Sequence, residues 1–174
     1  MNKFALALLS AGLAFTSPAL ADDPAELNDL QIAHVAYTAD NIDIAYAKLA
    51  LEKSGNEDVR KFAETMVRDH EAVNEAALGL LDKLGVQAED NFLSQSLSDN
   101  AEKITAELSA LDGAEFDKAY AENELAYHKA VNELVEKTFI PNIENEEVRA
   151  LFEEGLRIFK THEDHAEMMV EALQ

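Results

Sequence analysis

From Asn28 to the end of the chain, apolar residues return every 3.6 positions over long stretches, and they almost never alternate with polar ones. This periodicity limits the chain to helices, because a strand buries every second side chain and a helix every third or fourth. Three prolines and six glycines leave few interruptions, and Gly55, Gly85, Gly113 and Pro141 fall where helices would end. The spacing predicts a first helix from about Asn28 to Ser54, stopped by Gly55. A second runs from about Glu57 to Leu84, opened by Asn56 and closed by Gly85. A loop and a shorter helix, about Ser94 to Ala110, lead to the turn signal Asp112-Gly113. A third long helix follows from about Ala114 to Phe139. Pro141 and Asn142 part it from a fourth, about Glu146 to Leu173.

Two-residue and short prolyl links force the first and second, and the third and fourth, long helices into antiparallel hairpins, while the middle connection is long. The expected fold class is therefore all-α: a four-helix bundle of ferritin-like, short-long-short connectivity with an extra short helix in the crossover. Residues 22–174 suffice for one domain with its own core and are too few for two.

Residues 1–21 read as a secretory signal. Lys3 precedes an apolar run from Phe4 to Phe15, and Ala19-Leu20-Ala21 supplies the small residues a signal peptidase cleaves after. No cysteine occurs anywhere, so neither a lipid-attached form nor disulfide chemistry is expected. A periplasmic or secreted chain with no membrane-spanning segment after cleavage is the expectation. The formal charge is −21, one unit more negative once Lys3 leaves with the signal. Such a field repels phosphate backbones and anionic lipid, which argues against nucleic acid as a partner.

Each long helix carries one polar group on its apolar stripe. His70 interrupts Val59, Ala63, Met66, Val73 and Ala77; His128 interrupts Ala121, Leu125, Val131 and Val135; His162 interrupts Phe152, Gly155, Phe159, Ala166 and Met169. On the first helix the interruption is Asp43, between Ala39 and Tyr46. All four lie near mid-helix, within roughly 5 Å of a common height at 1.5 Å per residue. Three imidazoles and a carboxylate at one level of an apolar interior make a first shell for a divalent transition metal: zinc, copper or iron. Asp69 beside His70, and Glu124 one turn before His128, are placed either to orient an imidazole or to face solvent, and Tyr120 lies close to the same layer. Met66, Met168 and Met169 offer soft donors that would suit copper, or serve as core filler. The competing expectation is a metal-free structural or stress-related interaction protein, in which Asp43 holds an imidazole and Tyr46, Tyr120 or Tyr127 closes a hydrogen-bonded network.

Several chemistries lack their parts. The residues three before the histidines are Gln31, Val67, Leu125, Phe159 and His162, so no Glu-x-x-His pair supports a carboxylate-bridged di-iron oxidase. Those four after are Thr38, Asn74, Asn132, Ala166 and Met169, which removes a His-x-x-x-His oxygen carrier. No cysteine nucleophile, phosphate loop or nucleophile elbow is present. No catalytic residue is assigned.

Lys48-Leu49-Ala50, Phe62-Ala63, Met66-Val67 with Asp69-His70, then Phe116-Asp117 with Tyr120, His128, and His162 with Ala166 resemble the motifs of an exported bacterial domain family of unknown function. The Met-Val-x-Asp-His and Phe-Asp-x-x-Tyr combinations carry the likeness along the whole mature chain. The resemblance implies a ferritin-like fold. It places the family's recurrent histidines at His70, His128 and His162, and puts Asp43 where the family usually has Glu. Members are often labelled outer-membrane proteins, yet the alternating strands of a barrel are missing from this sequence. The resemblance names no substrate. The expected function is a non-enzymatic, metal-binding bundle.

Overall fold

The computed structural model describes residues 23–174, and the signal sequence expected over residues 1–21 lies outside them. After one short 3₁₀ turn at Pro24–Glu26, the chain forms α1 (Asp29–Lys53), α2 (Glu57–Leu84), α3 (Phe92–Ser109), α4 (Gly113–Leu134), the single turn α5 (Ile140–Asn142) and α6 (Glu146–Ala172). A π-helical segment, Val135–Phe139, joins α4 to α5. The chain is an all-helical bundle, and no helix among the described residues is long and apolar enough to cross a membrane.

Asparagine opens four of these helices. The side chains of Asn28, Asn56, Asn91 and Asn145 each accept hydrogen bonds from two backbone amides of the first turn, satisfying donors that an uncapped end leaves bare. At the end of α2, Gly85 adopts φ 69°, a left-handed conformation that costs glycine nothing. The expected boundary at Pro141 comes one turn late. Proline lacks the N–H of the helical ladder and its ring crowds the carbonyl four residues back. Here the wider π turn precedes it, with the Ile140 amide bonded to the Val135 carbonyl, and helix continues to Asn142.

α1 packs on α2 and α4 on α6, and contacts of α2 with α6 and of α1 with α4 close the ring; α3 lies against α1 and α4. Polar ties hold the ends. The Asp29 carboxylate accepts from the Glu144 and Asn145 amides at 2.9 and 2.8 Å. The Ser54 hydroxyl donates to Asp117 at 2.5 Å, and Asn91 Nδ2 donates to the Gln31 carbonyl at 3.0 Å, which pins the crossover to α1.

The core is two apolar clusters. One gathers Tyr46, Ala50, Val59, Phe62, Met66, Phe116, Tyr120 and Met169; the other gathers Ile32, Val35, Val135, Phe139, Ile143 and Val148. In all four long helices the stretch between them carries buried polar residues: Asp40 and Asp43 in α1, His70 and Asn74 in α2, Glu124, His128 and Asn132 in α4, and His162 in α6.

Candidate metal centre

Tertiary packing turns α4 slightly from the face that apolar periodicity selects. Leu125 and Val131 are only half-buried, whereas Asp117, Glu124 and Asn132 are buried. This rotation brings His128 to the middle of the bundle beside His70 and His162. The ring centroids stand 5.9, 5.4 and 5.6 Å apart for the pairs 70–128, 70–162 and 128–162, close to an equilateral triangle. Phe159 stacks on His70 at 4.4 Å with an interplanar angle of 11°, fixing that ring's plane.

Each imidazole has one nitrogen engaged and one free. His70 Nδ1 donates to Asp40 Oδ1 at 2.8 Å, His128 Nδ1 to the Glu124 carbonyl at 2.9 Å, and His162 Nε2 to Asp69 Oδ2 at 3.0 Å. Carbonyl and carboxylate oxygens only accept, so these nitrogens carry the protons, and in the neutral form of each ring the opposite nitrogen is a bare lone pair. Those nitrogens, His70 Nε2, His128 Nε2 and His162 Nδ1, have no hydrogen-bond partner in the protein. The three histidines can present ligand atoms lying within 4.8 Å of one another.

Asp43 is fully buried, and neither of its oxygens has a donor. Oδ1 lies 3.6 Å from His70 Nε2, and Oδ2 lies 3.6 Å from His128 Nε2. Ligand atoms of a tetrahedral ion with bonds of 2.0–2.1 Å stand about 3.4 Å apart, so each spacing suits an ion shared with that imidazole. The ligand atoms within 4.8 Å of one another form two sets that meet at His128: His70, His128 and His162, and Asp43, Glu124 and His128. Glu124, also fully buried with both oxygens unpartnered, lies behind Asp43 and His128, within 4.8 Å in ligand-atom terms. Asp40, Asp43, His70, His128 and Asn132 help to line a cavity of about 10 Å³.

Burial sets the electrostatics. Removal from water drives His162 down to about 4 and lowers His128. Burial alone would lower His70 too, but Asp43 and the bond to Asp40 together carry it above its ordinary value. Burial, with Asp43 adjacent, raises the Glu124 carboxyl well above the carboxylate range. At neutral pH the free lone pairs of His128 and His162 are therefore unprotonated, as ligation requires.

The side chains do not close the alternative network. Tyr120 OH is buried without a partner, and Tyr127 OH donates instead to the Ala39 carbonyl at 3.0 Å. Asp69 reaches inward to His162 while also holding Arg68 at 2.7 and 3.0 Å, and the Arg68 bond keeps its carboxyl below the usual range. His34 stands apart, 3.8 Å from Asp90; His165 is on the surface, and Met168 is 65% exposed. Three buried groups escape the sequence reading: Asp40, Asn74 and Asn132. Each lies one turn from a residue already singled out, Asp43, His70 or His128, and that spacing is the signal that could have found them.

No curated protein matches the chain. Among solved structures, the fold is similar to that of CopM in the Cu(II)-bound form, with 13% sequence identity, a TM-score of 0.67, and coverage of 85% of this chain and 99% of that one. At this identity the likeness concerns the fold alone. A family model matches residues 14–169, most of the sequence, so the chain belongs to the family described as domain of unknown function DUF4142.

Proposed function

We propose that this chain is an exported, non-enzymatic metal-binding protein of the periplasm or exterior. Its single mature domain, residues 22–174, is a four-helix bundle of ferritin-like connectivity. One divalent transition ion sits on His70 Nε2, His128 Nε2 and His162 Nδ1, with Asp43 as the fourth ligand. Asp40, Asp69 and the Glu124 carbonyl orient the rings. The observation that carries this reading is the set of three converging, unpartnered imidazole nitrogens whose opposite nitrogens are each held by an acceptor, the arrangement metal-bound histidines require. Leaving such groups bare costs about 1 to 3 kcal/mol each; an ion satisfies all three, and Asp43, grouped with His128, completes its shell by a small inward shift of the carboxylate. CopM, similar in fold, is bound to Cu(II), which supports copper as one candidate beside zinc and iron.

The test is a titration of the chain with Zn²⁺ and Cu²⁺ by calorimetry. One tight ion per chain is expected, lost on His128→Ala and retained on His165→Ala, which alters only a surface imidazole. Binding that survives His128→Ala would place the ion elsewhere. No tight binding at all would leave the buried histidines as structural groups.

A further inference from the structure

The histidine layer is closed to solvent: His70, His128 and His162 are 4%, 3% and 2% exposed, and Asp43 is 0% exposed. An ion that reaches it must pass between helices. Two neighbouring spaces share lining with the inner cavity: an apolar pocket that meets it at Ala39, Asp40, Val131 and Phe159 and offers a hydrated cation few ligands, and a polar groove at the seam of α4 and α6. There Asn132 lines the inner cavity together with Asp43, His70 and His128, and it also lines an open surface groove of about 530 Å³ with Glu133, Glu136, Glu163 and Asp164. No other residue lines both. Its side chain, buried in the seam, latches the helices: Nδ2 donates to the Phe159 carbonyl at 3.2 Å and to Glu163 Oε2 at 2.8 Å.

The groove's charges are unevenly committed. Lys137 pairs with Glu133, Lys160 with Glu136, and Lys129 reaches out to Glu167. Glu163 has no cationic partner among the described residues, and its negative charge acts on His128. A second polar approach, past Asp69 to His162, is guarded by the Arg68 guanidinium bonded to that carboxylate, a positive charge in a cation's path.

We propose that Asn132 and Glu163 form the passage by which a divalent transition ion enters and leaves the buried histidines. Glu163 takes the ion from the groove, and the Asn132 amide oxygen passes it inward once the two latch bonds to α6 open. Both supply oxygen donors, which hold a hydrated cation weakly enough for imidazole nitrogen to capture it. The passage rests on the metal-site reading above.

The experiment follows uptake of Co²⁺ by the full chain in stopped flow, through the visible absorption of the bound ion, and its removal by a chelator. Glu163→Gln keeps an acceptor for Asn132 and removes the charge. Uptake should slow by about tenfold, with stoichiometry unchanged. Asn132→Leu plugs the seam and should slow both uptake and release; should it fold poorly, the near-isosteric Glu163→Gln still decides. Arg68→Ala should leave both rates alone. Uptake by Glu163→Gln at the unaltered rate overturns the passage, as does acceleration confined to Arg68→Ala. If the unaltered chain takes up no Co²⁺, the metal site itself falls and the passage with it, an outcome distinct from either of these.

Discussion

At the scale of single residues, the centre is built from groups whose second contacts matter as much as their first. Asp43→Asn keeps shape and burial but removes the charge of the fourth ligand, so metal affinity should fall by at least about 10- to 100-fold, the loss that altering even a group outside the ligand set brings; competition with a chelator of known affinity measures it. His162 offers a pH test on the metal-free chain. Its imidazole titrates near 4 when folded against 6.5 for the free side chain, so as pH falls below 6.5 the unfolded chain takes up a proton that the folded one refuses. Its contribution to stability is therefore lost progressively down to about pH 4, by roughly 3 kcal/mol at 1.36 kcal/mol per unit. His70, held above its ordinary value, pulls the other way. The effect is thus read as a difference: the urea midpoint of the unaltered chain should fall relative to His162→Asn between pH 7 and 4.5, and parallel midpoints would contradict it. The three histidines and Asp43 stood out in the sequence because each breaks an apolar stripe. Asp40, Asn132 and the buried state of Glu124 did not, since a hydropathy pattern scores a polar residue beside the stripe as solvent-facing and cannot see a partner on another helix.

At the scale of elements, asparagine capping does much to fix where the helices begin; the sequence reading used it at Asn56 and passed over Asn91, which starts α3 at Phe92 and not at Ser94. α2 runs over Glu57–Leu84 as the spacing predicts, and α1 and α6 begin just after Asn28 and Asn145. Asn56→Ala removes the acceptor for the Asp58 and Val59 amides and should cost about 1 kcal/mol. That loss should appear as a lower urea midpoint with an unchanged slope, while metal affinity holds. The end of α4 was not legible. Proline reads as a stop, and only the registry of the chain against α6 reveals that a π segment at Val135–Phe139 absorbs it. The same registry turns α4 so that Glu124, His128 and Asn132 face inward. One-dimensional periodicity misses such rotations because the winning term is packing between helices, not the preference of any one.

At the scale of the molecule, two apolar clusters hold a polar layer between them, and the strongly negative chain draws cations toward its surface. An ion that binds the folded state alone adds stability by mass action. At a free concentration a hundred times Kd the gain is about 2.7 kcal/mol, which for a chain of this size raises Tm by roughly 5 to 10 °C. Melting with Zn²⁺ and then with a chelator checks this, and the rise should vanish in His128→Ala. Negative surfaces also gather cations loosely through carboxylates, so stoichiometry alone does not distinguish a built centre from a diffuse one. X-ray absorption at the metal edge of the loaded chain tests the centre most directly. Three imidazole nitrogens and one oxygen at about 2.0 to 2.1 Å are expected, and a shell of oxygens alone would contradict the histidine centre.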